Sequence, residues 1–192
     1  MTKSFKTTTI ILVIIATVAV FAAVAVAGTF ASWRTTNGVV IQKSGDAFLK
    51  QGASRTIKAP DLTKLMTDTD TTGNLVITND PLILDVRSIA DYNACHIPDA
   101  IWIAPYDQMA ETQNLDTLDA ALVEHIKRTG CDDIVVYCHT GHTAGLTTGV
   151  LGAIGYDVKN LRFGYNVGWK SDKTKVTGIN TVPGDCESVL AP

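Results

Sequence analysis

Cys138 opens the run Cys138-His139-Thr140-Gly141-His142-Thr143, which places one thiol, two imidazoles and two hydroxyls side by side. A thiol does chemistry as its thiolate, so such a run is informative only if the fold lowers the cysteine's pKa. The flanks say how that would happen. Ile134-Val135-Val136-Tyr137 is a short β-branched and aromatic run, which predicts a buried strand. Ala144 to Ile154 is apolar, rich in small residues and long enough for a helix, with Gly155 as its stop. A thiol between strand and helix lies near the helix N-terminus, where unpaired N–H groups and the helix dipole favour an anion. Gly141 lets the backbone curl with positive φ, so that successive amides can point at one sulfur. The competing reading is a buried cysteine that packs as a small hydrophobe. The glycine, hydroxyls and imidazoles, together with the strand–loop–helix setting, favour a nucleophile.

Other segments stand in a telling order. Leu82-Ile83-Leu84-Asp85-Val86-Arg87 is an apolar run that ends in Asp-Val-Arg. Asp91-Tyr92-Asn93-Ala94-Cys95-His96-Ile97-Pro98-Asp99-Ala100 comes next, and the chain later carries Gly155-Tyr156-Asp157-Val158 and Phe163-Gly164-Tyr165-Asn166-Val167-Gly168-Trp169. With the Cys138 loop, these segments resemble the rhodanese superfamily over roughly Ile57 to Lys173. Cys95 and Asp99 stand where that family usually has glycine, and Tyr165 takes the second place of a Gly-Gly pair. The loop also lacks the Arg or Lys with which relatives hold thiosulfate. His139 and His142 could stand in, but an imidazole is not permanently charged near neutral pH.

The resemblance implies an α/β fold: a single rhodanese-like domain with an open, mostly parallel sheet and helices on both faces. It implies a sulfurtransferase in which Cys138 carries sulfane sulfur as a persulfide, from a small donor to a thiol or other nucleophile. His139, Thr140, Gly141, His142 and Thr143 would bind substrate. Asp85 and Arg87 would support the site, more as a structural ion pair than as chemical groups. His96 reads as a turn-packing histidine and Trp169 as a core or lid anchor. A membrane-tethered sulfur carrier without turnover is the alternative. A phosphatase or arsenate reductase is disfavoured, because Thr143 and Ala144 occupy the place of the arginine that clamps an oxyanion in such loops. No cofactor is expected, and no metal, since no Cys-x-x-Cys spacing occurs.

Positioning this loop requires a domain over residues 56–175. The pattern predicts a strand at Ile57, a helix from Ala59-Pro60-Asp61 through Leu65 and Met66, and strands at Leu82–Asp85, Ala100–Ile103 and Val158–Leu161. Leu75-Val76-Ile77 reads as a short extra strand. A short helix is expected over Ser88–Asn93 and an amphipathic one over Leu115–Arg128, on Leu118, Leu122 and Ile126. Asp116 and Asp119 lie near its start and Lys127 and Arg128 near its end. In the helix after the loop, Gly145, Gly149 and Gly152 share a face, which suggests close approach of a neighbouring element. Leu146, Val150 and Ile154 form a second apolar stripe, so burial is expected on both sides. A helical turn near Trp169 closes the domain.

The rest of the chain of 192 residues bounds its setting. Lys3 and Lys6 precede an uncharged, mostly apolar stretch from Thr7 to Trp33. It exceeds a signal peptide's apolar core and suits a spanning helix, while Ala25-Val26-Ala27 would also suit a signal peptidase. Residues 1–34 therefore read as an anchor or a cleaved signal, and either fate sends the domain out of the cytosol with the lysines inside. Residues 35–55 read as a linker and 176–192 as a tail. A formal charge of −3 without a basic cluster gives no support for nucleic-acid binding. Outside the cytosol, two of Cys95, Cys131 and Cys186 could pair, leaving Cys138 free.

Overall fold

Five short strands make one parallel sheet: Thr56–Ile57 (β1), Leu82–Asp85 (β2), Ile101–Trp102 (β3), Ile134–Tyr137 (β4) and Val158–Leu161 (β5), in the spatial order β1-β5-β4-β2-β3. The computed structural model describes residues 38–51 and 54–171. The chain divides into two units, Met1–Lys43 and Ser44–Pro192. The sheet and the helices from Ala59 onward belong to the second. Every residue of β2 and β4 is buried, as expected of parallel strands covered on both faces.

Side chains alternate across the sheet and build two cores. Leu82, Leu84, Ile134, Val136 and Val158 join Leu118 of helix Thr112–Thr129 and Ala144 and Leu151 of helix His142–Ile154. Ile83, Val135, Tyr137 and Leu161 join Leu62 and Met66 of helix Ala59–Thr67, with Ile97, Tyr165 and Trp169. In chain order the helices are Val39–Lys50 (α1), Ala59–Thr67 (α2), Ile89–Ala94 (α3), Thr112–Thr129 (α4) and His142–Ile154 (α5), followed by a π-helical turn at Gly164–Trp169. The expected α/β architecture with a parallel sheet flanked by helices is present.

Several expectations need correction. The stretch read as linker holds α1, and its Phe48 is buried. A Cβ on Gly152 would lie 2.3 Å from the Phe48 ring. The close approach foreseen for the glycine face is therefore an aromatic side chain at Gly152, while Gly149 has nothing within 4 Å. The second stripe of α5 is not buried: Leu146, Val150 and Ile154 are 64%, 46% and 53% exposed. A helix laid on a sheet has one packing face, and in α5 Ala144, Thr147, Thr148, Leu151 and Gly152 occupy it.

In α4 the four-residue spacing misleads at its last step. Each step of four over-rotates a 3.6-residue turn, so His125 takes the buried position and Ile126 is exposed. The helix also starts at Thr112, which moves Asp116 and Asp119 out of its first turn. Leu75-Val76-Ile77 is no strand; a single antiparallel bridge joins Thr69 and Leu75. Asp70 organises this loop instead, accepting hydrogen bonds from the backbone and hydroxyl of Thr72 and the backbone of Asn74. The Thr72 hydroxyl, with those amides, holds its carboxyl down at about 2. The departures at Cys95 and Asp99 are accommodated differently. Cys95 is extended at φ −175°, which any residue adopts, whereas Asp99 takes a left-handed φ of 59° that aspartate tolerates better than most.

The apolar helix expected within residues 1–34 and the tail 176–192 lie outside the described residues. Among the described residues no helix is long and apolar enough to cross a membrane.

Candidate active site

β4 delivers Cys138 to the C-terminal edge of the sheet, one residue past Tyr137. α5 begins at His142 with Gly141 as its N-cap, at φ 91° and ψ −8°. That left-handed turn points the Gly141 N–H back at the Cys138 sulfur, and donor and Sγ are 3.1 Å apart. Burial pushes the Cys138 thiol's pKa up, but the Thr143 hydroxyl and the amides of Ala144, Thr140 and Gly141 outweigh it, so the net shift is downward. The residue is only 3% exposed. Its sulfur accepts a main-chain hydrogen bond from Gly141, at the N-terminal end of α5.

The loop's carbonyls are engaged by other donors. The Tyr165 N–H donates to the Cys138 oxygen at 2.7 Å, and the Asn166 N–H to the His139 oxygen at 2.9 Å. The Asn160 side-chain amide donates to the Gly141 oxygen at 3.1 Å. With its acceptors engaged by this neighbouring segment, the loop presents its N–H groups to the sulfur. Gly164 makes the approach possible. At φ 58°, a Cβ there would lie 2.4 Å from the Cys138 oxygen and 2.7 Å from the amides of Gly141 and Thr140. Gly164→Ala should therefore cost about 2–3 kcal/mol of stability and displace the loop, measured by urea unfolding and by Cys138 alkylation rate. An alanine variant with wild-type stability and reactivity would refute this account.

The remaining expected site residues fall into three groups. Gly141 donates to the sulfur, and the Thr140 amide and Thr143 hydroxyl help lower its pKa. His139 and His142 stand exposed on the loop. His139 Nε2 is 3.4 Å from an Asp91 carboxylate oxygen, and His142 Nδ1 is 3.0 Å from the Thr140 hydroxyl. Asp85 and Arg87 are not at the sulfur. They form a buried bidentate pair with a closest approach of 2.6 Å. Arg87 also donates to the Cys95 carbonyl at 2.6 Å and lies over the Tyr165 ring, 4.3 Å from its centroid. The pair thus holds the segment that backs the loop. His96 is buried and stacked on Tyr92, and Trp169 is buried in the core.

Cys95 is disulfide-bonded, whereas Cys131 and Cys138 are free thiols. Cys186 lies outside the described residues. Burial raises the Cys131 pKa, so the two free thiols differ in the direction of their shifts. Alkylation of Cys138 should accordingly gain rate with a midpoint below the 9.0 of an unperturbed thiol. Thr143→Val removes the strongest lowering influence, so the midpoint should move up and the neutral-pH rate should fall. A pH–rate profile of iodoacetamide labelling reads both; an unmoved midpoint in the valine variant would exclude Thr143 from that role.

Asn160, Gly164 and the main chain of Tyr165 and Asn166 belong to this site, yet none was singled out as functional from sequence. The available signal was the Gly-x-x-x-Gly-Trp spacing at Gly164–Trp169, which marks a close approach without saying to what.

A family model described as "Rhodanese-like domain" matches residues 68–172. None of the curated proteins matches the chain. Among solved structures, a rhodanese-like domain protein from Staphylococcus aureus is 20% identical, covering 65% of this chain and 98% of its own, with a TM-score of 0.42. A Saccharomyces cerevisiae protein described as a homolog of single-domain rhodanese and the Cdc25 phosphatase catalytic domain is 20% identical, covering 60% and 79%, with a TM-score of 0.47. Bacillus anthracis CoADR-RHD is 25% identical with a TM-score of 0.35, over 45% of this chain and 13% of that larger one. These structural likenesses are distant, and the family match carries the assignment.

Proposed function

We propose that this chain, which belongs to the rhodanese-like family, is a sulfurtransferase that carries sulfane sulfur on Cys138. The observation that supports the reading best is the Gly141 N–H held 3.1 Å from the Cys138 sulfur at the start of α5, with further loop donors lowering the thiol's pKa. Such donors stabilise a thiolate before reaction and the terminal sulfur's charge after it, with no reorganisation between.

In the first half-reaction the Cys138 thiolate attacks the outer sulfur of a sulfane donor. With thiosulfate, an S–S bond forms to Cys138, the donor's own S–S bond breaks, and sulfite leaves with the electron pair. In the second, an acceptor thiolate attacks the outer sulfur, the bond to Cys138 breaks and its thiolate returns. Charge and atoms balance in each step, and no general base is needed once the thiolate exists. Intact mass spectrometry of the native protein after incubation with thiosulfate tests the reading. The expected result is a gain of one sulfur mapped to Cys138; an unchanged mass with every sulfane donor tried would overturn it.

A sulfur carrier without turnover is the second reading, supported by a loop with no Arg or Lys and a thiol that is 3% exposed. A persulfide that forms but gives no steady-state thiosulfate:cyanide activity would select it. The setting we propose is outside the cytosol, on the strength of the apolar N-terminal segment and the oxidised state of Cys95. Digestion of the domain by protease inside intact cells' cytosolic compartment, with protection on the outer side, would contradict that placement.

A further inference from the structure

Three neighbouring parallel strands end at one edge of the sheet, and the residues just past them are Lys58, Arg162 and Cys138. Between the first two lies a cavity of about 480 Å³, lined among the described residues by Lys58, Pro60, Arg162, Phe163, Val167 and Ser171 with two further small residues. That size suits a small molecule. Among the described residues of its lining, both charged groups are cations. Phe163 and Val167, 58% and 54% exposed, add open apolar surface beside them. Phe163 is held outward at a left-handed φ of 62°, with the Arg162 guanidinium 5.3 Å from its ring centroid.

The cavity and the thiol share a wall. The segment from Arg162 to Gly168 lines the cavity, and its Tyr165 and Asn166 amides bind the Cys138 loop. Adjacent strands are about 4.8 Å apart, so the ends of β4 and β1, two strands away, lie roughly 10 Å apart. A donor the size of thiosulfate at the sulfur cannot span that distance. A thiol with a longer body can, and its far end would meet the two cations. We propose that this cavity holds the carboxylate-bearing, non-reacting end of a small thiol acceptor, supplying outside the loop the positive charge that the loop lacks. This inference rests on the sulfurtransferase reading and names the acceptor class for it.

The test compares glutathione with its diethyl ester, which keeps the thiol and loses both carboxylates. With persulfidated wild-type protein, kcat/KM should favour glutathione roughly ten-fold at low salt, and the preference should shrink as salt screens it. In Lys58→Gln/Arg162→Gln the ratio should fall to about one, with partial recovery in Arg162→Lys. S-methylglutathione cannot react, so its binding to the Cys138→Ser protein gives an independent readout, expected to weaken in the same double variant. A persulfide that forms normally but shows no preference, or a preference that the double variant keeps, overturns the acceptor site and leaves the sulfurtransferase reading standing. Absence of any persulfide overturns the parent reading; S-methylglutathione binding unaffected by the double variant overturns the acceptor site by itself.

Discussion

Cys138→Ser should abolish sulfur loading and reduce any transfer activity by at least about 10³-fold, while the protein stays folded. The serine oxygen can accept the same Gly141 N–H, so the loop keeps its main-chain frame. What it cannot do is ionise near neutral pH or hold a sulfur in a reducible S–S bond. Stability should change by no more than about 1 kcal/mol, because the substitution adds no volume and leaves no donor unpaired. Mass spectrometry after thiosulfate treatment checks the loading, and a coupled sulfite assay checks the turnover. If the serine variant still released sulfite at the wild-type rate, the reaction would belong to another thiol, and Cys131 would be the one to examine. The lowered pKa of Cys138 carries its own linkage: the folded thiol titrates below the unfolded one. Its contribution to stability is therefore present above the unfolded pKa and is lost as the pH falls through the folded one.

Asp85→Ala is the largest expected effect on stability, about 3–5 kcal/mol lost. Asp85 is 0% exposed and accepts from the Arg87 backbone and from two nitrogens of its guanidinium. Burial works against the Arg87 charge, but the Asp85 carboxylate more than offsets it, and the net shift raises the Arg87 pKa. Removing the carboxylate alone leaves a cation buried against the Tyr137 and Tyr165 rings, with the Cys95 carbonyl still accepting its hydrogen bond and Asp91 at longer range. Asp85→Leu/Arg87→Met, which removes both charges, should recover a good part of the loss, and urea unfolding of the three proteins measures it. A loss in Asp85→Ala below about 1 kcal/mol would show that the pair is not what holds this edge together. Because Tyr165 ties the Cys138 carbonyl, a structural change at Arg87 should also reach the sulfur, seen as slower alkylation in Asp85→Ala than in the double variant.

Much of the site was legible along the chain because its parts are close in sequence. Tyr137, Cys138, Gly141 and the start of α5 span only a few residues, and strand periodicity, a positive-φ glycine and a helix N-terminus are local properties. Strand β4 falls at Ile134–Tyr137, where the apolar run puts it, and β5 at Val158–Leu161 as expected, although only its two ends are apolar. Other features depended on neighbours that sequence does not announce. Residues 35–55 look like a polar spacer, yet Phe48 finds the space left by Gly152 and α1 is anchored there. Leu146, Val150 and Ile154 make a good apolar stripe, yet nothing in that stripe says that the sheet would take the other face of α5.

The sequence by itself determined that a thiol would sit at the junction of a buried strand and a helix, in a parallel α/β domain, because backbone propensity and side-chain alternation act over a few residues. The tertiary structure alone decided what stands behind and beside that thiol. Gly164 and Asn160 reach the loop across about twenty residues of intervening chain, Asp85 and Arg87 brace it from another strand, and Lys58 and Arg162 meet at a shared edge. Those meetings depend on strand order and packing, and only the folded chain brings them about.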